Sequence, residues 1–249
     1  MDMIIIGPEE KIYRCSDRYK CKIDGDLLEG DNGSIDGCKD LFYSILKHDV
    51  KNKVRLIKGS LQILRYECDL TDRAEERLEQ MERIIDNCLE LIENISTYRE
   101  LGEEEPKPID MKEYLQDVLY AMEDLLDDNG FDVRTDLQEQ RPVIGGPLIK
   151  NVCSNVIENA VKHSGGEIIK ISCELKDNCL IVSIEDDGKG IGEGMEKKIF
   201  CKGFTTEKEC GTGLGLYLVD KVMEVYGGRV EVKRSGSGGA RFDLFFECA

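Results

Sequence analysis

The second half of the chain contains four short segments in a fixed order: NVIENAVKH at 155–163, EDDGKGIG at 185–192, FCKGFTTEK at 200–208 and GTGLGL at 211–216. The first segment lies in an apolar pattern that predicts a helix beginning at Pro147. Asn155, Asn159 and Lys162 are three or four positions apart and therefore neighbours on that helix. Amide oxygens suit a Mg²⁺ ion that also touches phosphates, and a lysine offsets phosphate charge. Taken alone, the segment equally fits an amphipathic helix with solvated amides.

The other three segments are typical of backbone that approaches a flat or anionic ligand. Gly188 and Gly190 allow a sharp turn after a predicted strand, and Asp186 can accept a hydrogen bond from an amino group such as that of adenine. GTGLGL opens a predicted helix, where backbone N–H groups and the helix dipole favour a phosphate. FCKGFTTEK adds Thr206 and Lys208. Each segment alone is also explained by an ordinary turn or surface loop.

The periodicity around these segments predicts helices on one face of a mixed sheet, an α/β sandwich of two layers. Asp110 and Glu113 open the first helix, and Asp177-Asn178 marks the turn of a β-hairpin. The predicted elements are a helix at 110–126, strands at 131–137, 167–175 and 179–185, helices at 147–163 and 213–225, and strands at 229–233 and 240–246.

Residues 39–101 have the spacing of two packed helices. Apolar residues recur alternately every three and four positions across 50–68 and again across 78–95, which predicts an antiparallel hairpin. Ile84 and Leu91 widen the second stripe beyond what one partner helix covers. We therefore expect two hairpins to pair into a four-helix bundle in a homodimer, and the fold class of the chain to be α+β.

The chain is expected to have four parts. Residues 1–38 combine the apolar run Ile4–Ile6 with a Gly- and Asp-rich stretch, which predicts a hairpin and loops, either a remnant sensory segment or a short N-terminal arm. Residues 39–101 form the helical hairpin. Residues 102–109 contain GEEEPKP and are expected to be a solvated linker, because prolines and consecutive glutamates end the helix. Residues 110–249 form the sandwich.

The composition argues against several function classes. The chain has 51 Asp and Glu against 34 Lys and Arg, a formal charge of −17, so it would repel nucleic acid. No stretch approaches the roughly 18 consecutive apolar residues of a membrane helix, and Met1–Gly7 is too short for a signal peptide. We expect no membrane span and a cytoplasmic location.

The eleven cysteines are expected to be mostly buried apolar residues. An odd number without an export signal argues against a disulfide framework. Cys15, Cys21 and Cys38 are close in sequence, but no CxxC pair occurs in the chain, and this spacing disfavours a zinc site.

In this order and spacing, the four segments resemble the nucleotide-binding domain of the GHKL superfamily, which includes sensor histidine kinases, gyrase, Hsp90 and MutL. The resemblance covers residues 110–248 and implies that the domain binds ATP and Mg²⁺. It implies that Asn159 holds the metal, that Asp186 reads adenine, and that Gly188 and Gly190 shape the pocket floor. The residues expected near the metal are Asn155, Lys162 and His163. Those expected near the phosphates, on or beside a mobile lid from Ile191 to Gly213, are Thr206, Lys208, Gly211, Gly213, Leu214 and Gly215.

The branch of the superfamily depends on two positions. In hydrolytic members a glutamate four residues before the metal-binding asparagine activates water, whereas this chain has Asn155 there and looks like a kinase. LKHDVKNKV at 46–54 resembles the phosphoacceptor motif of histidine kinases. His48 and Asn52 lie one helical turn apart and roughly opposite the core position Val50, which predicts an exposed imidazole. Without the downstream domain, an ordinary surface histidine would be the better interpretation.

The resemblance implies a sensor histidine kinase that autophosphorylates His48 from ATP and transfers the phosphoryl group to an aspartate of a response regulator on a separate protein. Asp49 would be the acidic partner, and Asn52 would orient water in a phosphatase reaction. The alternatives are a phosphatase-biased regulator and a non-catalytic nucleotide-binding dimeric scaffold; a GHKL serine kinase would leave the histidine unexplained. The chain departs from the family at Lys53, where proline is usual, and at Gly145-Gly146, where an aspartate is common.

Overall fold

The computed structural model describes residues 3–6, 12–16, 20–23, 26–27, 45–68, 70–101, 105–137, 141–205 and 212–249, with side chains from His48 onward. The chain divides into two compact units, Met1–Ser96 and Thr97–Ala249. The division falls shortly before the expected linker at 102–109, and the boundaries of the four expected parts remain a prediction.

The first unit begins with a four-stranded antiparallel sheet in which each strand pairs with the next along the chain. Its strands are β1 (Met3–Ile6), β2 (Ile12–Ser16), β3 (Lys20–Ile23) and β4 (Asp26–Leu27). The prediction of one hairpin and loops was therefore incomplete for residues 1–38. Short strands rich in lysine have little local β-propensity, and pairing with neighbours stabilises them. The remaining residues of this segment lie outside the described ranges.

The helical hairpin follows. A π-helical segment, Ile45–Val50, leads directly into α1 (Lys51–Glu67), and α2 spans Asp72–Glu100. The N–H of Ala74 donates to Thr71 Oγ1 at 3.4 Å, a hydrogen bond typical of a helix start.

One flank of the hairpin carries ion pairs between the two helices. Lys58 Nζ lies 2.6 Å from Asp86 Oδ1, and Lys51 pairs with Glu93. The positions on α1 advance by one heptad while those on α2 retreat by one heptad, which is the relation of antiparallel helices. Arg65, one heptad further, contacts two glutamates of α2. These exposed pairs define the register, although each contributes no more than about 1 kcal/mol.

The other flank of the hairpin is apolar and exposed. Leu78, Ile85 and Ile92 of α2 are buried, but no residue of α1 is. The apolar flank consists of large side chains that are at least 39% exposed: Leu56, Ile57, Ile63, Leu64, Met81, Ile84 and Leu91. At about 100° per residue, all seven positions point away from the ion pairs. Ile57, Leu64 and Met81 lie about 100° from the nearest ion-pair residue of their helix, and the other four lie about 160° from it. A single hairpin thus leaves much of the predicted apolar stripe on each helix exposed.

The second unit contains a five-stranded sheet and a small two-stranded one. The strands of the large sheet are β6 (Asp132–Asp136), β8 (Ile168–Lys176), β9 (Cys179–Asp186), β10 (Arg229–Arg234) and β11 (Ala240–Glu247). Their order is β10-β11-β9-β8-β6, antiparallel except for β6 and β8. The small sheet pairs β5 (Lys107–Ile109) with β7 (Val143–Gly145).

Part of the predicted linker pairs in the small sheet. Pro108 lies in β5, yet Lys107 and Pro108 are both exposed, in agreement with the solvated character inferred from GEEEPKP. Proline is tolerated in a short strand that pairs on one side. Ile109, at the end of the expected range, is 5% exposed and packs into the core, and residues 102–104 lie outside the described ranges.

The helices of the second unit pack on one face of the large sheet. They are α3 (Met111–Ala121), α4 (Glu123–Asp128), α5 (Leu148–His163) and α6 (Gly215–Val225), with a 3₁₀ turn at Lys198–Phe200. Ile157 of α5, Val219 of α6 and Val182 of β9 are fully buried in one core. The α/β sandwich, and with it the fold class, is confirmed.

Local signals placed several elements correctly. Asp110 caps α3 by accepting the N–H of Lys112 at 2.9 Å. Asp177 and Asn178 have φ of 49° and 65°, the left-handed pair that a two-residue hairpin turn requires. The predicted helix at 110–126 is instead two helices, because the backbone leaves helical geometry at Met122.

The described cysteines are less buried than expected. Cys68, Cys88 and Cys201 are exposed, whereas Cys153 and Cys248 are buried. Burial raises the pKa of the Cys153 thiol to about 12.

Among the helices that the structure describes, none has the length and apolar character needed to cross a bilayer.

On the face of the large sheet away from the helices, a network of hydrogen bonds and ion pairs surrounds Asp243, whose side chain is 3% exposed. Its Oδ1 accepts hydrogen bonds from Ser183 Oγ and Arg241 Nε, both at 2.7 Å, and Lys233 pairs with Oδ2. Burial alone would raise the pKa of Asp243, but the hydrogen bonds from Lys233, Arg241 and Ser183 hold it below its usual value. The ionised carboxylate therefore stabilises the sheet.

We expect Asp243→Asn to lower the free energy of unfolding at pH 7 by about 2 kcal/mol, because it leaves charged donors without a carboxylate. The folded-state pKa is depressed, so this contribution exists above the unfolded pKa and is lost as the pH falls. The difference between the two proteins should therefore begin to shrink below about pH 4, the unfolded pKa of aspartate, and disappear only below the depressed folded-state pKa. Urea unfolding at pH 7 and at successively lower pH values measures this.

The matched control is Glu231→Gln on the same face, where Glu231 is 54% exposed and pairs with Arg229. Its effect should stay below about 0.5 kcal/mol. Equal effects of the two substitutions, or a gap that persists at low pH, would contradict the stabilising role of the Asp243 network.

Candidate nucleotide-binding site

Strand β9 ends at Asp186, whose carboxylate anchors the turn that follows. Its Oδ1 accepts the N–H of Gly188 at 2.9 Å and the N–H of Ala240, at the start of β11, at 3.2 Å. Asp186 is 6% exposed; burial raises the pKa of its carboxyl, and the two N–H groups oppose this. Oδ2 makes no hydrogen bond to a described residue, which leaves it available to an N–H donor of a ligand.

The turn after Asp186 is packed against other backbone. A Cβ on Gly188 would lie 2.2 Å from the carbonyl oxygen of Ser164, the residue that follows α5. Gly190 has φ of +73°, and a Cβ there would lie 3.0 Å from the carbonyl oxygen of Gly238. Only glycine fits this close approach without displacing backbone. The two glycines bring the turn, the end of α5 and the β10–β11 connection together.

The adjacent carboxylate, Asp187, has a different task. Its Oδ1 accepts the N–H groups of Glu167 and Ile168, each at 2.9 Å. These hydrogen bonds, the one from Ile168 first, lower the pKa of Asp187. Asp187 therefore holds the start of β8 beside the turn, whereas Asp186 keeps one oxygen for a ligand.

Helix α5 meets the start of α6 at Asn155. The Asn155 Nδ2 donates to the carbonyl oxygen of Asn151 at 2.9 Å, and a Cβ on Gly215 would lie 2.9 Å from Asn155 Oδ1. Gly215 is the first residue of α6, and Leu214 precedes it. The first N–H groups of a helix favour an anion, so this junction is where a phosphate group fits best.

The other polar residues of α5 lie within two turns of Asn155. Asn159 is partly exposed, and no hydrogen bond joins its side chain to a described residue. Lys162 Nζ lies 2.8 Å from Glu158 Oε2, an exposed pair that a phosphate could replace at small cost. His163 ends the helix and is partly exposed. The roles expected for Asn155, Asn159, Lys162 and His163 remain predictions.

A hydrogen bond joins Gly203 and Gly213, which both lie in the segment expected to form the lid. The N–H of Gly203 donates to the carbonyl oxygen of Gly213 at 3.0 Å. Gly213 has φ of +64°, and a Cβ there would lie 2.6 Å from the carbonyl carbon of Gly203. Gly203 and Gly213 are therefore held in direct contact. Thr206, Lys208 and Gly211, which were expected near the phosphates, lie outside the described residues.

A magnesium ion fits this site only together with phosphate. No group of three His, Cys, Asp or Glu side chains within the described ranges could hold a metal ion. Mg²⁺ keeps several waters and commonly binds through one or two protein oxygens plus substrate phosphates. The uncommitted amide of Asn159 supplies one such oxygen. The donor set thus fits a nucleotide-bound Mg²⁺ rather than an all-protein cage.

Sequence reasoning missed the residues that build the site through backbone contacts. Ser164 and Ala240 belong to none of the chemical arguments, yet each contacts the turn after Asp186. Tyr226 is 4% exposed, and a Cβ on Gly146 would lie 2.4 Å from its hydroxyl oxygen. Tyr226 thus fills the space that an aspartate at 146 would need. Contacts across 24 to 80 residues leave no local signal.

The expected phosphoacceptor lies in the first unit. His48 and Asn52 are exposed, and Asp49 and Val50 are partly exposed. The predicted exposure of the imidazole is confirmed. His48 belongs to the π-helical segment just before α1, and wide π turns bend helices. This geometry is present without the proline that is usual where this chain has Lys53.

Comparison with known proteins finds a matching ATPase family and similar sensor histidine kinases. Residues 146–249 match the family of histidine kinase-, DNA gyrase B-, and HSP90-like ATPases. The chain is 28% identical over 236 residues to the sensor histidine kinase AruS of Pseudomonas aeruginosa, covering 87% of this chain. The chain spans 23% of the length of AruS.

Solved structures show the same fold. The catalytic domain of histidine kinase ThkA is 27% identical with a TM-score of 0.53, covering 58% of this chain and 97% of that domain. Full-length ShkA in complex with AMPPNP has a TM-score of 0.59 at 21% identity, covering 83% of this chain and 46% of ShkA.

Proposed function

Because its C-terminal domain belongs to the histidine kinase-, DNA gyrase B-, and HSP90-like ATPases and its homologues are sensor histidine kinases, we propose that this chain is an ATP-dependent protein-histidine kinase. It phosphorylates its own His48 and transfers the phosphoryl group to an aspartate of a response regulator on a separate protein. The observation that carries the proposal is that one chain combines an exposed imidazole on a helical hairpin with an ATP-binding domain that lacks a hydrolytic base.

The residue at position 155 argues against hydrolysis. Asn155 stands where hydrolytic relatives have a glutamate, and its amide already donates to the carbonyl of Asn151. An amide has no basic lone pair for activating water. Glu158 is acidic but pairs with Lys162. Transfer to a protein nucleophile is therefore favoured over hydrolysis, and an exposed histidine is such a nucleophile.

The residues of the site have separate tasks in the proposed reaction. Asp186 Oδ2 accepts the adenine amino group, while its Oδ1 holds the pocket floor. The first turn of α6, from Gly215, and the amide of Asn155 orient the phosphates. Mg²⁺ on Asn159 would neutralise phosphate charge. Positioning and electrostatics supply most of the catalysis in phosphoryl transfer.

On the hairpin, the imidazole of His48 attacks the γ-phosphorus of ATP, the bond from that phosphorus to the bridging oxygen breaks, and ADP leaves. Asp49, the next residue, orients the ring and accepts its proton. A phosphohistidine is a high-energy donor, which suits onward transfer to an aspartate. Asn52, one turn away and exposed, would orient water if the same surface also removes phosphate from the regulator.

The chain is proposed to act as a homodimer through the apolar flank of its hairpin. Seven large apolar side chains stay exposed on that flank, a larger apolar surface than a monomer normally leaves in water. A second hairpin would cover it and form a four-helix bundle. The ion pairs lie on the other flank, so dimerisation leaves them in place.

We expect His48→Gln to abolish acid-labile, alkali-stable labelling by γ-labelled ATP, because it removes the nucleophile. The chain has two histidines, so His163→Gln is the matched control and should keep label on His48, at a lower rate if nucleotide binding weakens. Persistent label in His48→Gln, or its loss from His163→Gln alone, would overturn the assignment of the acceptor.

We expect Asp186→Asn to remove selectivity for the adenine amino group. The amide keeps an oxygen for Gly188 and Ala240 but presents N–H in place of Oδ2. ATP affinity should fall about 10- to 100-fold, towards that of a purine riboside triphosphate without the amino group. Calorimetric titration of both nucleotides measures this.

The control for that experiment is Asp187→Asn, in which an amide oxygen can still accept the N–H groups of Glu167 and Ile168. It should change ATP affinity less than about threefold. Equal losses in both variants, or selectivity retained by Asp186→Asn, would show that Asp186 does not read the base.

We expect the double substitution Ile57→Glu and Leu64→Glu to produce monomers, because it places charge on the apolar flank. Arg55→Glu changes the net charge by the same amount at an exposed position of α1 beside the ion pairs, and should remain dimeric. Sedimentation velocity separates the species. A dimeric double variant would contradict this interface.

A further inference from the structure

Two cysteines lie directly opposite each other in the N-terminal sheet. Strands β2 and β3 are antiparallel neighbours, and their register pairs Cys15 with Cys21. The flanking pairs, Arg14 with Lys22 and Ser16 with Lys20, follow the same register. The two residues therefore occupy one face of the sheet at one level along the strands.

This placement meets the distance requirement of a disulfide. Directly opposite residues of an antiparallel pair have Cα atoms about 4.5 to 5.5 Å apart, depending on the kind of site. A disulfide joins residues whose Cα atoms lie about 4.4 to 6.8 Å apart. Either kind of site therefore allows the bond without movement of the strands along each other.

The charge around the pair favours reaction. Residues 11–22 contain five Lys or Arg and one Asp, in a chain whose formal charge is −17. Neighbouring positive charge stabilises thiolates, which are the reacting form of cysteine. It also attracts anionic reagents, such as glutathione and its disulfide. Three of the basic residues, Arg14, Lys20 and Lys22, are sequence neighbours of the two cysteines; by strand alternation they lie on the other face of the sheet, so they act through the local electrostatic field and not by contact.

The bond would close a short segment, from residue 15 to residue 21, so it would constrain the unfolded chain less than a long-range crosslink. A short cross-strand bond is therefore better suited to reversible oxidation than to structural support. Reversible disulfides are also the kind found in reducing compartments, where they are redox-sensing or catalytic.

We propose that Cys15 and Cys21 form a dithiol that small anionic disulfides, such as oxidised glutathione, convert reversibly to a cross-strand disulfide. One thiolate attacks the glutathione disulfide, forming a mixed disulfide and releasing one glutathione. The second thiolate attacks the protein sulfur of that mixed disulfide and releases the second glutathione. Two electrons pass from the cysteine pair to the reagent, and the two thiol protons end on the released glutathiones.

The test equilibrates the full chain in glutathione buffers of increasing oxidised fraction, stops exchange with acid, and digests it with a protease that cleaves after lysine. Cleavage after Lys20 separates the two cysteines, so the bond would join peptides 12–20 and 21–22, lighter by two hydrogen atoms than their sum. Because the second step is intramolecular, the linked peptides should appear at about tenfold less oxidised glutathione than half-modification of Cys201 requires.

Two variants make the result specific. In Cys21→Ser, Cys15 should stop at the mixed disulfide with glutathione. In Cys201→Ser, which removes an exposed cysteine of the second unit, the linked peptides should form unchanged. Cys15 and Cys21 oxidising no more readily than Cys201, or linking to other cysteines instead of to each other, would overturn the proposal. The readout is independent of kinase activity and of His48.

Discussion

The nucleotide site depends on one carboxylate oxygen. Asp186 Oδ1 binds the N–H of Gly188 in the turn after β9 and the N–H of Ala240 at the start of β11. A Cβ on Gly239 would lie 2.2 Å from the same oxygen, so β11 begins in direct contact with it. Without these bonds, two buried N–H groups would lack partners. The turn would also lose the contact that presses Gly188 onto Ser164. Asp186 therefore sets the geometry available to a ligand, because Oδ1 holds the surrounding backbone and Oδ2 remains for the ligand.

Much of this architecture could be predicted from local sequence, and the exceptions share a cause. Asp110 and Asp177-Asn178 fix their own neighbourhood through a cap and a turn, so the helix start and the hairpin were placed correctly. The contacts of Ser164, Ala240 and Tyr226 join residues far apart in the chain, and no local rule predicts them. The two N-terminal strands beyond the predicted hairpin are similar, since pairing stabilises Lys20–Ile23 more than its own side chains do. The glycines of the site were found because close approach restricts residue type.

The hairpin illustrates how a correct pattern can be read incompletely. A three-four spacing on both helices predicted a packed seam, yet Ile57, Leu64 and Met81 remain exposed. The ion pairs at Lys51, Lys58 and Arg65 lie along one edge of the apolar stripe, so the two helices contact each other near that edge. Each pair contributes little energy, but together they fix the register in which a single chain buries its apolar residues. In the four-helix bundle proposed above, each helix would have two neighbours, and the remaining apolar side chains would face the second hairpin.

The division of chemistry between the two units follows from what the second unit contains. Near the proposed phosphate position, the described polar groups are amides, backbone N–H groups, a lysine paired with Glu158, and His163 at the end of α5. In the proposed reaction these groups orient and neutralise a triphosphate, and the amide of Asn155 cannot deprotonate water. An imidazole can attack; His48 stands exposed on the helical hairpin, whereas His163 ends α5 and is partly exposed. The proposed phosphoryl transfer therefore takes its nucleophile from the first unit and its nucleotide site from the second.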